Sequence, residues 1–209
     1  WRALPDGIRP PALSLADWRT VFTHPVLMAI VAVTAMSSAG QFTLFSYFAP
    51  FYSQMLGHSA LQISLLFLWF GAIGLMGNVL LTRVIDRTGA APAVAVTLGC
   101  MALSLLAWPL ATGFVSALLV TAPWALGCFA ANSAQQARLA MAAPALATAL
   151  ISLNSSAMYI GQFAGSASGG AMIAAAGFGG LSWVALAWMS AALITSLWAA
   201  RRMRGAMHA

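Results

Sequence analysis

The chain has 209 residues, 62% hydrophobic and 6% charged, with nine basic residues against three acidic and a formal net charge of +6. Soluble domains carry about a quarter charged residues, so this composition excludes an ordinary water-soluble enzyme or binding module and points to an integral membrane protein. The positive charge does not imply a nucleic-acid partner, because the arginines stand in ones to threes at four places instead of clustering on one face.

Residues 1–25 are polar and read as a cytoplasmic linker. Pro5, Pro10 and Pro11 lie among charges there, and Leu13 to Phe22 suits a short helix in the membrane interface. Starting at Trp1 with no apolar leader, the sequence reads as part of a longer protein. Six apolar runs follow at 26–48, 60–81, 91–110, 114–135, 147–172 and 181–200. Each is close to the ~20 residues that carry a helix across ~30 Å of hydrocarbon. Residues 201–209 form a tail. Every arginine and aspartate falls in the first, third, fifth or seventh gap around these runs, Arg138 in the fifth, and none in the second, fourth or sixth. By the positive-inside rule those gaps face the cytoplasm, and so do both termini. Pro25, Pro92 and Pro144 mark helix starts, where a missing N–H costs nothing. Trp108, Trp183 and Trp198 near run ends suit interfacial anchors.

The first run places Thr34, Ser38, Gln41, Phe45 and Phe48 at three-four spacing, a face polar at its middle and aromatic toward one end that fits a substrate cavity. The second aligns Gly71, Gly74 and Asn78. The fourth carries Thr121, Trp124, Cys128, Asn132 and Gln135 on a comparable face, interrupted by Pro123, which removes a backbone hydrogen bond and is a candidate hinge. Asn154, Gln162, Tyr47 and Tyr159 add hydrogen-bonding groups; the same polar residues can equally bond between helices. The fifth run spaces Ala157, Gly161, Gly165 and Gly169 by four, a stripe for close helix packing, static or sliding. Cys100 and Cys128 read as small buried hydrophobes, and neither a metal site nor a cofactor is expected.

Between the second and third runs the chain reads GNVLLTRVIDRTG. This resembles the cytoplasmic signature of the major facilitator superfamily, with Gly77, Asn78, Asp86, Arg87 and Gly89 at matching positions and departures at Leu81, Thr82 and Ala90. SYFAPFY at the end of the first run and LNSSAMYIGQFAGSASGG in the fifth look like helices seven and eleven of its drug-efflux and arabinose-efflux-permease branch. The resemblance implies an all-α polytopic fold of six transmembrane helices arranged as two inverted three-helix repeats, the C-terminal half of a twelve-helix transporter. It implies a non-enzymatic secondary transporter of the bacterial inner membrane that exports a small solute, such as a drug or sugar, by proton-coupled alternating access. Its partners would be that solute, protons, the lipid bilayer and an N-terminal six-helix half absent from this chain. The signature would form a cytoplasmic gating loop whose contacts break and reform as the halves rock. Because Asp6, Asp17 and Asp86 all lie in cytoplasmic gaps, a proton-coupling carboxylate would belong to the other half.

Two other functions are compatible with six spans. A permease subunit driven by a separate ATPase needs a cytoplasmic coupling segment, and the odd-numbered loops are short. An intramembrane serine protease built on Gly165-Ser166-Ala167-Ser168 needs a nearby base, whereas His24 and His58 sit at span edges and His208 in the tail.

Overall fold

The computed structural model describes residues 14–207, which form helices joined by short turns, with no strand among them. The readings at Arg2, Pro5, Asp6, Arg9, Pro10, Pro11, Leu13 and His208 lie outside the described residues. Helix α1 (Leu15–Thr23) opens on a reciprocal cap in which Ser14 N–H donates to Asp17 Oδ2 at 2.8 Å and Asp17 N–H to Ser14 Oγ at 3.2 Å. The backbone bond from Ser14, then its hydroxyl bond, hold the exposed Asp17 carboxyl below its ordinary range. Val21 pins α1 to the bundle.

The first apolar run, expected as one helix ending at 48, is instead α2 (Pro25–Phe45) followed by α3 (Phe48–Leu56). Pro50 explains the break: it has no N–H for the Ser46 carbonyl four residues back, and its ring crowds that oxygen. Gly57, at φ 64°, closes α3 in the left-handed region. Helix α4 (Ala60–Thr88) starts on a Ser59–Gln62 capping box. Gly89 alone, at φ 84°, joins it to α5 (Ala90–Ala107) and a 3-10 turn, Trp108–Leu110. Then come α6 (Phe114–Ala142), α7 (Ala147–Ala176) and α8 (Leu181–Met207). Helices α4, α6 and α8 thus overrun the expected ends at 81, 135 and 200. Loss of hydropathy marks where lipid ends, whereas Arg, Leu and Ala beyond it continue the backbone ladder without strain.

Among the described residues, five helical stretches are long and apolar enough to cross a membrane: Pro25–Leu56, Ala60–Thr88, Ala90–Leu110, Phe114–Ala142 and Phe178–Gly205. Ala147–Ala176 is as long, but its Ser, Gly, Asn and Gln make it less apolar. Since successive long helices alternate in direction, Arg19, Arg83, Arg87, Arg138, Arg201, Arg202 and Arg204, with Asp17 and Asp86, gather at one end of the bundle. Trp183 and Trp198 are 53% and 41% exposed on the bundle surface, the latter with the Arg202 guanidinium 5.7 Å from its ring centroid. Trp108 is a correction: it is buried among Phe48, Phe51, Tyr52 and Trp124, because the 3-10 turn folds it inward.

Packing follows an exchanged pattern. Helix α2 packs on α7 and α8, α6 packs on α4 and α5, and α5 meets α8 across the middle. The leading helix of each three-helix set is therefore held by the second and third helices of the other, as a two-fold relation between inverted repeats requires. Glycines set the distances. A Cβ at Gly161 or Gly165 would collide with the backbone of Ala35 or Ala39 in α2, and one at Gly169 would stand 2.6 Å from the Thr43 carbonyl oxygen. On the related pair, a Cβ at Gly77 would run into the backbone of Leu126 in α6, and one at Gly74 would approach the Phe129 ring at 2.5 Å. Gly40 against Ala185 of α8 and Gly127 against Thr97 of α5 repeat the relation.

Gly165→Leu should destabilise the bundle by about 1–3 kcal/mol through overpacking, whereas Gly99→Ala, whose Cβ meets nothing within 4 Å, should leave stability unchanged or slightly raised. Thermal unfolding of the detergent-purified protein checks both, and equal melting of the two variants would contradict the packing described.

Candidate functional site

A cavity of about 720 Å³ lies between α2, α4, α6 and α7. The third helix of each set, α5 or α8, stays outside it. Its size is in the range that holds a small ligand. Thr34, Ser38, Gln41 and Phe45 line it from α2, and Trp124, Cys128 and Asn132 from α6, so seven of the eight residues singled out as a cavity face meet on one wall system. Phe48 does not line it. The α2–α3 break after Phe45 turns Phe48 into a buried aromatic cluster, 4.7 Å from the Tyr52 centroid and 6.4 Å from that of Trp124. Phe67 and Phe70 of α4 complete an aromatic end, with Phe70 edge-on to Trp124 at 5.1 Å and 81°.

The other end is polar. Gln135, fully within α6 and 2% exposed, donates from Nε2 to the Ile30 carbonyl at 2.9 Å and to Thr34 Oγ1 at 3.2 Å. Thr34 donates to Asn154 Oδ1 at 2.5 Å, and Asn154 Nδ2 to Asn132 Oδ1 at 3.5 Å. Gln41 accepts from the Trp124 indole at 3.4 Å, bridging α2 and α6 between the two ends. Gln162 of α7 and Asn78 of α4 also face the cavity, and Asn78 Oδ1 accepts from Ser133 at 2.9 Å.

The sequence profile of the Major Facilitator Superfamily matches residues 2–166, most of the chain. The chain belongs to the major facilitator superfamily. It is a multi-pass membrane protein with the helical architecture of such a transporter.

The superfamily signature is differently disposed from the loop expected. Gly77 and Asn78 sit within α4, the first as a contact with α6 and the second at the cavity. Asp86 and Arg87 are exposed in the last turn of α4, and Gly89 is the whole connection to α5. Four of the five signature residues thus lie in α4, and Gly89 makes the one-residue turn into α5.

Helix α6 runs unbroken through Pro123, and a neighbouring side chain bridges the turn beside it. The Ser104 hydroxyl of α5 inserts into the ladder, donating to the Val120 carbonyl at 2.6 Å and accepting from Trp124 N–H at 2.8 Å. A side chain thereby stands where a direct backbone bond would close the turn, and it positions Trp124 at the cavity. Ser104 was not singled out from sequence, since its role depends on which carbonyl it meets.

Arg138, expected in a water-facing gap, is buried at 3% exposure one turn inside α6. Its guanidinium donates to Ser196 Oγ at 2.8 Å and to the Ser196 carbonyl at 3.0 Å, tying α6 to α8 and leaving Nε without a partner among the described residues. Ser166 shares a hydroxyl contact with Ser46 at 2.6 Å and offers its carbonyl to the Tyr47 hydroxyl at 2.8 Å. The segment therefore joins α7 to the end of α2, and among the described residues no histidine shares these contacts.

Ser104→Ala should cost about 1–3 kcal/mol by orphaning two buried backbone groups. In a Pro123→Ala background, where the α6 ladder can close, the same change should cost less. A double-mutant cycle on thermal stability reads the coupling, and additive effects would contradict the repair.

Proposed function

We propose that the chain forms one six-helix half of a secondary active transporter and that the cavity between α2, α4, α6 and α7 carries its share of the substrate site. The observation that supports this most is the gathering of the polar and aromatic faces of α2 and α6 around a single ligand-sized cavity in a member of a transporter superfamily. The exchanged packing suits alternating access. Each leading helix is gripped through small residues that permit rocking without opening large voids.

In this reading the arginine-bearing end faces the cytoplasm of a bacterial inner membrane, and the second six-helix half closes the cavity. Transport runs outward against proton entry. Among the described residues no carboxylate lines the cavity, and in this reading the proton-carrying group belongs to the second half. Asp86 and Arg87, exposed at the joint of α4 and α5, contact that half on the cytoplasmic side and release it as the access changes.

Full-length protein in proteoliposomes should move one or more members of a panel of labelled sugars and amphipathic drugs uphill under an imposed pH gradient, with collapse by a protonophore. Gln41→Ala and Trp124→Ala, which break one cavity hydrogen bond, should raise KM by roughly 2–12-fold with normal insertion. Gradient-independent behaviour across the panel would contradict the proposal.

A further inference from the structure

The polar end of the cavity has a direction built into it, and that direction selects a ligand group; the argument rests on the cavity being the substrate site proposed above. The Ile30 carbonyl can only accept, so the Gln135 amide must turn its nitrogen toward it. Thr34, having accepted from that nitrogen, gives its own hydrogen to Asn154 Oδ1. Asn154 is thereby left with Nδ2 to donate, and Asn132 meets it with Oδ1. Every amide in the series is oriented from one backbone carbonyl.

Two groups are left over. Gln135 Oε1 is buried and has no donor. Asn132, half-buried at the cavity wall, keeps its amide N–H groups without a partner among the described residues. A buried acceptor without a donor is costly and is rare in folded proteins unless something else completes it. Among the described residues no charged side chain lines the cavity, so none of them offsets the desolvation of an ionic group.

We propose that Gln135 and Asn132 form a subsite for an uncharged ligand group that both accepts and donates a hydrogen bond, such as an alcohol hydroxyl, with the apolar body of the same ligand against Phe45, Phe70 and Trp124. The substrate class is therefore a neutral amphipathic alcohol with a planar or bulky apolar part. The hydroxyl gives its hydrogen to Gln135 Oε1 and receives one from Asn132 Nδ2. The apolar part fills the aromatic end.

Equilibrium dialysis of the full-length protein in nanodiscs, with no gradient, separates this from the transport reading. The probes are phenyl β-D-glucopyranoside, its per-O-methyl ether and phenyltrimethylammonium. The glucoside should bind saturably. The ether, which keeps the acceptors and loses every donor, should bind about tenfold more weakly, and the cation should not compete. Thr34→Val, which uncouples the series with little change of shape, and Gln135→Leu should each bring the glucoside-to-ether ratio toward unity. Equal affinity for glucoside and ether, tighter binding of the cation, or no binding of the glucoside would overturn the proposal. Loss of gradient-driven flux with the ratio intact would instead sink the transport reading and leave the subsite standing.

Discussion

The bundle depends on backbone meeting backbone where α2 crosses α7 and where α6 crosses α4. Lipid tails are as apolar as leucine, so helices in a bilayer gain little from hiding apolar surface and associate through close packing and hydrogen bonds. Gly161, Gly165 and Gly169 let α7 rest directly on the carbonyls of α2, and Gly74 and Gly77 do the same for α4 on α6. Tyr47 to Ser166, Thr34 to Asn154 and Asn78 to Ser133 then lock the same crossings with hydrogen bonds. With both leading helices clasped by the opposite set, their polar faces have nowhere to point but toward each other, and the cavity follows.

That cavity is divided in chemistry. Its aromatic end is continuous with a buried ring cluster running through Phe48, Tyr52 and Trp108, while its polar end is a directed series of amides. Trp124 belongs to both: its ring packs on Phe70, its indole reaches Gln41, and its backbone N–H is held by Ser104 in the proline-opened turn of α6. The turn containing Pro123 thus also carries a cavity wall residue. Arg138 sits further along the same helix, tied to Ser196 of α8, so the end of α6 that carries charge is anchored while its middle is not bonded in the regular way.

Much of this was legible in sequence, and the failures have physical causes. Run length and arginine placement located the helices because both report on lipid. They misplaced the ends at 81, 135 and 200 because a backbone ladder does not stop where lipid does. Pro50, two residues past the end of the first run, was overlooked, and with it the break that removes Phe48 from the face begun by Thr34, Ser38, Gln41 and Phe45. Gly77 matched a family signature, yet its most direct contact is with Leu126 of α6. The roles of Ser104, Gln135 and Arg138 arise from partners on other helices, and no spacing within one helix encodes them.

The exchanged clasp of the two repeats is tested most directly by paired cysteines in membranes, in a background lacking Cys100 and Cys128. Ser46→Cys with Ser166→Cys, and Asn78→Cys with Ser133→Cys, place thiols where side chains now touch, the first pair at 2.6 Å and the second at 2.9 Å. Both should form disulfides readily under mild oxidation, whereas Ser46→Cys with Ser133→Cys should not. Cross-linking of that last pair in place of the first two would contradict the account.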